Sequence, residues 1–446
     1  MSRRRPIAFI PVALGVLLAA LGAVSVSAAP PTATNANEVI HWNQVAASTL
    51  IAVPGPDGGA PPAFQINMAI VQGAVYDAVN AIGPKKHREY VLEERAGAKA
   101  SVNAAVATAA YDVLYNLVST APTRAPFPTR GALLTALDTQ RNTSLGAITN
   151  NAFKKQGIQV GHLAATAMLN SRVGDGRFGD SQWESNTGVG HWQPITPGAL
   201  DPTPWVGGVK PFFLQSPSQF QSVAPPALDS QAWADQFNEV KALGRATGST
   251  RNDITDQQTY KAKWWQSAPG LSWNEVARQL IASNGLNAAD AARLLALLNM
   301  STADAGINAW NDKYHFDFWR PYNAIPRADE DGRIDTVKDT TWVPLIAAPY
   351  PEWVSGHLSL DGASTTVLRA FFVDAPPGGF QITSVFVNPG GPATRTFTSF
   401  SGTVAEIVEA RIWAGLHYRG ADVAGKVLGT SVANYAMENY FQAVGH

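Results

Sequence analysis

The chain contains no cysteine, so disulfide bonding and thiolate chemistry are both excluded. That absence also suits a protein that works among oxidants. Charge is scarce: 15% of the 446 residues are charged, with 33 Lys and Arg against 34 Asp and Glu. This leaves no basic field for nucleic acid. No internal repeat is evident. Beyond residue 29, no stretch stays apolar for long enough, free of charge and proline, to cross a bilayer. The sequence also lacks a carboxylate cluster or a His-x-x-x-His pair of the kind that holds a divalent cation.

What is present begins with 46% hydrophobic residues, enough to bury the core of one large domain or two closely joined ones. At the N-terminus, Arg3, Arg4 and Arg5 precede an apolar run from Ile7 to Val26 and the small residues Ser27, Ala28 and Ala29. This pattern predicts a signal peptide over residues 1–29 and an exported mature protein, periplasmic or extracellular, free of the membrane once cleaved. Removing the three arginines leaves 30 basic against 34 acidic residues, a mildly acidic balance. Pro6 interrupts the twin-arginine pattern, so the route of export stays open, as does the oligomeric state.

Helical periodicity follows. Val39–Val53, Phe64–Ile82 (with Met68, Val71, Val75 and Val79 on one stripe), Val102–Val118 and Ile148–Asn170 predict an N-terminal helical bundle over residues 30–172. Residues 173–228 are rich in Gly, Pro and Ser but also hold Trp183, Trp192, Trp205, Phe212 and Phe213. So many large rings predict an ordered loop packed over the helices. A C-terminal bundle over 229–446 is predicted from helices at Gln231–Leu243 and Trp273–Ala282, one from an Asn287 N-cap to about Trp310, and a last one from Ala421 to Phe441. A short hairpin over 381–400 and a capping box at Thr403 and Glu406 complete it. The fold class is all-α: two helical bundles in one large domain, with long ordered loops and a small β-hairpin.

Three charged clusters come in order. Lys313 and Arg320 are seven residues apart, nearly on one face if the backbone stays helical, with Pro321 forcing an end. Ser355, Gly356 and His357 stand just ahead of an apolar-periodic run, where a helix N-terminus would offer backbone N–H groups to an oxyanion. Arg411 and His417 can face one ligand only if the helix stops between them, and Gly415 is a natural stop. Arg411 lies on the apolar stripe of Val404, Ile407 and Val408, an expensive place for a guanidinium without an anion. Three cations, an anion nest and two histidines suit a tetrahedral oxyanion such as phosphate or vanadate.

The spacing Lys-x6-Arg-Pro, then Ser-Gly-His, then Arg-x5-His resembles that of the vanadium-dependent haloperoxidases and the related type 2 phosphatidic acid phosphatases. Trp42-Asn43-Gln44-Val45, the run Ala74 to Ala81, Phe318 to Pro321 and Gly415 to Tyr418 are similar to the exported bacterial haloperoxidase branch. The resemblance implies that Lys313, Arg320 and Arg411 hold vanadate oxygens, with Ser355 and Gly356 beside them. It implies His417 as the axial ligand to vanadium, or the nucleophile in a phosphatase, and His357 as the acid-base residue. Trp310 and Tyr350 fall where the family places aromatic pocket residues. The chain departs from the family in Val354 and Ala410, and in Asp422, which stands five residues after His417 where the family has an orienting Asp at four. The implied activity is a secreted haloperoxidase: with vanadate as cofactor and Lys313 as a catalytic polarising group, hydrogen peroxide oxidises a halide to hypohalous acid, which halogenates small organic acceptors. An acid phosphatase binding phosphate at the same site, and a non-catalytic exported helical protein, are the alternatives.

Overall fold

The computed structural model describes residues 36–445 except 56–57, 60, 123–125, 180–182, 184–185, 198, 200, 247–255 and 387–391. The predicted signal segment, 1–29, lies outside the described residues. Thirteen α-helices occur among the described residues: α1 (Asn37–Ile51), α2 (Ala63–Asn80), α3 (Val102–Ser119), α4 (Arg130–Gly146), α5 (Ala152–Ser171), α6 (Gln231–Leu243), α7 (Asp256–Trp264), α8 (Pro269–Ser283), α9 (Ala288–Phe316), α10 (Pro321–Ala324), α11 (Gly356–Phe372), α12 (Phe400–Trp413) and α13 (Arg419–Asn439). None of them is long and apolar enough to cross a membrane.

Two helices are buried almost all round, which marks them as the centre. Every residue of α2 from Ala63 to Val79 is buried, and most of α9 from Ala288 to Lys313 is too. α2 packs on α9, and α3 and α5 pack on α2. From the other side α11 and α13 pack on α9 and on each other. Met68, Met168 and Met300 are fully buried in this core. The hairpin pairs β1 (Phe380–Ser384) with β2 (Ala393–Phe397), Phe380 opposite Phe397 and Ser384 opposite Ala393. Its predicted turn and Val387 lie outside the described residues.

The aromatic-rich loop is ordered where described, and α9 explains how. Asp304, Asn308 and Asp312 recur every four residues on one face. Asp304 accepts the backbone N–H groups of Phe212, Phe213 and Leu214 at 2.7, 2.7 and 3.0 Å. Asn308 and Asp312 accept those of Phe220 and Ser222 at 3.1 and 2.9 Å. A polar stripe inside a buried helix thus satisfies the loop's main chain while Trp192, Trp205, Phe212 and Phe213 fill the core.

Several boundaries differ from expectation. α9 runs on to Phe316, six residues past its predicted end. α5 begins at an Asn151 cap and not at Ile148. α4 was not anticipated: it buries only Leu137 fully, with Leu133, Leu134 and Leu145 partly covered on an otherwise polar helix; α7, with a polar sequence, was missed as well. Thr403 and Glu406 do not form a capping box. The N-cap of α12 is Ser399, which accepts the Gly402 N–H at 3.2 Å, while Glu406 pairs with Lys261 and Arg395.

Candidate active site

Lys313 sits in the last turn of α9 and is fully buried. Its Nζ donates to the carbonyls of Pro351, Glu352 and Val354 at 3.0, 2.9 and 2.5 Å. The expected shared helical face with Arg320 does not exist, because Asp317 takes a left-handed conformation (φ 47°) and ends the helix. Arg320 instead N-caps α10 in extended conformation. It reaches the same segment from another direction, donating to Tyr350 O at 2.7 Å, Pro351 O at 3.3 Å and Leu416 O at 2.8 Å. Both cations therefore grip residues 350–354.

That segment leads directly into α11. Ser355 is its N-cap, accepting the Leu358 N–H at 3.4 Å, and its own N–H donates to Ala421 O at 3.1 Å. Gly356 opens the helix, and a Cβ there would lie 2.5 Å from the Trp310 ring. Trp310 is held by an indole hydrogen bond to Thr203 Oγ1 at 3.1 Å, and its ring centroid is 5.1 Å from that of Tyr350. Lys313 Nζ lies 5.7 and 5.4 Å from the two centroids, and Arg320 5.2 Å from that of Tyr350. Both aromatics thus sit beside the cations.

The third cluster folds as its glycine requires. α12 ends at Trp413, and Gly415 has φ +70°, with a Cβ there only 2.3 Å from Gly244 O. The reversal brings Arg411 and His417 into one electrostatic neighbourhood with Lys313, Arg320 and His357. Arg411 is buried; its Nε has no hydrogen-bond partner and its Nη1 makes one long contact, 3.4 Å to Trp265 O.

His417 Nδ1 lies 2.9 Å from Glu352 Oε1, which also accepts the Tyr418 N–H at 3.0 Å. The carboxylate beside the imidazole is therefore Glu352 and not Asp422. Asp422 lies in the first turn of α13, fully buried, against the Ser355 hydroxyl and Arg411. The residue added between His417 and Asp422 turns that carboxyl toward the α11 cap. Glu352 was missed because an acid three residues before Ser355 carries no spacing signal; only the folded segment brings it to His417.

Burial holds the His417 imidazole well below its ordinary pKa, and Arg320, Lys313 and Arg411 act the same way. It is neutral. With Glu352 ionised, Oε1 accepts from both the Tyr418 N–H and the imidazole, which puts the ring proton on Nδ1 and the lone pair on Nε2. Burial pushes Glu352 up to about 7, against the pull of Arg320 and Lys313. Lys313 is lowered by burial and by Arg320. His357, whose side chain is 10% exposed, is lowered by burial and by Arg411.

Among the described residues, no group of three or more His, Asp or Glu could hold a metal ion. The donor set fits vanadate as an oxyanion: an imidazole lone pair, an unspent guanidinium N–H on Arg411, two further buried cations and the first turn of a 17-residue helix.

Comparisons with known proteins agree. The family model for the VCPO second helical-bundle domain matches residues 293–445. Vanadium chloroperoxidase of Curvularia inaequalis is 25% identical over 415 residues, covering 77% of this chain and 66% of that protein; the chain spans just under two thirds of that relative. A bacterial vanadium-dependent iodoperoxidase superposes with a TM-score of 0.74 at 20% identity, covering 94% of this chain and 99% of its own. A holo bacterial vanadium-dependent chloroperoxidase gives 0.69 at 17%, covering 91% and 97%. The last two show a shared fold, and the family model matches the bundle that carries Lys313, His357 and His417, so the chain is similar to the vanadium haloperoxidases in fold and, over that bundle, in sequence.

Proposed function

We propose that this protein is a vanadium-dependent haloperoxidase that uses hydrogen peroxide to oxidise a halide to hypohalous acid and water. The observation that carries this reading is His417, its Nδ1 2.9 Å from Glu352 Oε1, in one neighbourhood with the buried side chains of Lys313, Arg320 and Arg411. Bound vanadate would supply the Lewis-acidic centre at which peroxide is activated for attack by halide.

The chain's own residues do the rest. His417 Nε2 would be the ligand that fixes the group, and Glu352 raises the basicity of that ring by accepting the Nδ1 proton. Arg411, Arg320 and Lys313 would neutralise the oxygens, with Lys313, its three N–H donors now on carbonyls, exchanging one of them to polarise bound peroxide. Ser355 and the Gly356 N–H would complete the cradle. His357 would take a proton from peroxide and return it to the oxygen that leaves as water. Trp310 and Tyr350 wall the site with apolar surface, which strengthens these charge interactions. Small organic molecules are then the acceptors. Export is part of the proposal: the features of residues 1–29 fit removal of a signal peptide, so the exported protein should begin near Pro30.

The test is bromide-dependent halogenation by vanadate-free protein with and without orthovanadate. Activity should appear only with vanadate, and inorganic phosphate should slow its recovery, because the cradle cannot separate two tetrahedral oxyanions by charge. Activity that survives exhaustive vanadate removal overturns the reading.

A further inference from the structure

α11 carries a second ionisable side chain one turn after His357. Asp361 is 1% exposed. Its Oδ1 accepts the indole N–H of Trp273, from α8, at 2.7 Å. Its Oδ2 has no hydrogen-bond partner and lies 3.6 Å from His357 Nε2. A buried carboxylate oxygen left without a donor is costly, and the four-residue step puts the imidazole on the same helix face. At 3.6 Å this is an ion-pair distance and not a formed hydrogen bond; catalytic hydrogen bonds are often long in resting proteins and tighten as the reaction complex forms. Trp273 is itself buried in the α8–α11 interface, so the carboxylate is held where it is. Arg411 from α12 acts on both partners, and His417 is the other titratable ring that feels His357.

We propose that Asp361 is a positioning residue for His357. Oδ2 faces the Nε2–H and accepts its hydrogen bond as the reaction complex forms, Trp273 locks the carboxylate, and Nδ1 is left as the lone pair that accepts a proton from peroxide. The imidazolium so formed is balanced by the carboxylate until Nδ1 returns the proton to the departing water. The catalytic part rests on the haloperoxidase reading above; the tautomer does not.

An Asn at 361 has one acceptor oxygen for two N–H donors. With Trp273 retaining that oxygen, the amide NH2 would face His357 and force the proton onto Nδ1, the wrong tautomer for a base. The experiment is ¹⁵N NMR of the His357 ring in vanadate-free protein, assigned through H357Q, together with steady-state bromide oxidation by the vanadate-loaded enzyme. Above pH 7, where the Asp361 carboxyl is ionised, wild type should show the Nε2–H tautomer and D361N the Nδ1–H tautomer. D361N should lose roughly tenfold or more in kcat, with vanadate affinity changed no more than about threefold, and D361E should recover part of the loss. In an H357A background, D361N should cost nothing further. A wild-type ring protonated on Nδ1, or a D361N loss as large without His357 as with it, overturns the proposal. If wild type oxidised no bromide, the haloperoxidase reading would fall, while the ring tautomer would still decide the role of Asp361.

Discussion

Glu352 Oε1 accepts two hydrogen bonds, from His417 Nδ1 and the Tyr418 N–H, and this single oxygen sets which end of the imidazole can ligate. Glu352→Gln keeps the shape but removes the charge that makes the ring basic, so vanadate affinity should fall roughly tenfold or more. Asp422→Asn, which does not take part in that bond, should change it less. Equilibrium dialysis against vanadate separates the two, and equal losses would restore Asp422 as the orienting group. The two histidines divide in the same assay. His417→Ala should abolish bound vanadate, whereas His357→Ala should retain it within a few-fold and lose turnover by a factor on the order of a hundred or more. Variants that bound vanadate equally well would mean the roles are wrongly divided.

At the scale of elements, the site depends on where helices stop. Gly415 takes φ +70° with Gly244 O pressed against its missing Cβ. Gly415→Ala should therefore destabilise by about 1–3 kcal/mol and weaken vanadate binding by moving His417 away from Arg411. Thermal melting and dialysis would detect both, and a variant of unchanged stability and affinity would refute the argument. This stop was legible in the sequence, because an Arg and a His six apart cannot share a ligand on continuous helix and glycine is the residue that ends one. The Asp317 stop was not. A left-handed aspartate has no strong local signature, and the pattern through Phe316 and Arg320 reads as helix either way. The long amphipathic helices and the Asn287 cap were readable from their periodicity, whereas α4 and α7 were hidden by their largely polar sequences. The grouping of the cations and histidines was legible because such residue types at such spacings suit an oxyanion. Glu352 and Asp361 were not, since what makes them matter is burial and a partner distant in sequence.

For the whole molecule, buried carboxyls set the response to pH. Burial raises Asp77 and Asp304 from 3.8 to about 6 and Asp361 to about 7, in each case against hydrogen bonds that favour the charged form. A folded pKa above the unfolded value means that the native state binds the extra proton. The stability linked to these groups is thus fully present below about 4 and is lost as pH rises through 6 to 7. These carboxyls should raise the melting temperature as pH is lowered from about 7 to 5, opposed by His357 and His417, which burial holds below their ordinary range. Asp304→Asn should therefore shift the slope of melting temperature against pH relative to wild type, although it also loosens the loop pinned at residues 212–214. A slope identical in wild type and Asp304→Asn would contradict the assignment.

The placement of sulfur bears on how long the catalyst lasts. The hypohalous product of the proposed reaction would attack thioethers readily, yet the chain has no cysteine, and Met68, Met168 and Met300 are buried between α2, α5 and α9. Met437, only partly buried near the end of α13, is the described thioether that solvent reaches. Under continuous turnover with bromide, peptide mass mapping should find sulfoxide first at residue 437, with the core methionines modified only once activity is falling and the fold is opening. Early sulfoxide at Met300 with activity intact would contradict this order. Inactivation under the enzyme's own product should then track unfolding, so that Met437→Leu lengthens chemical integrity but not the working half-life.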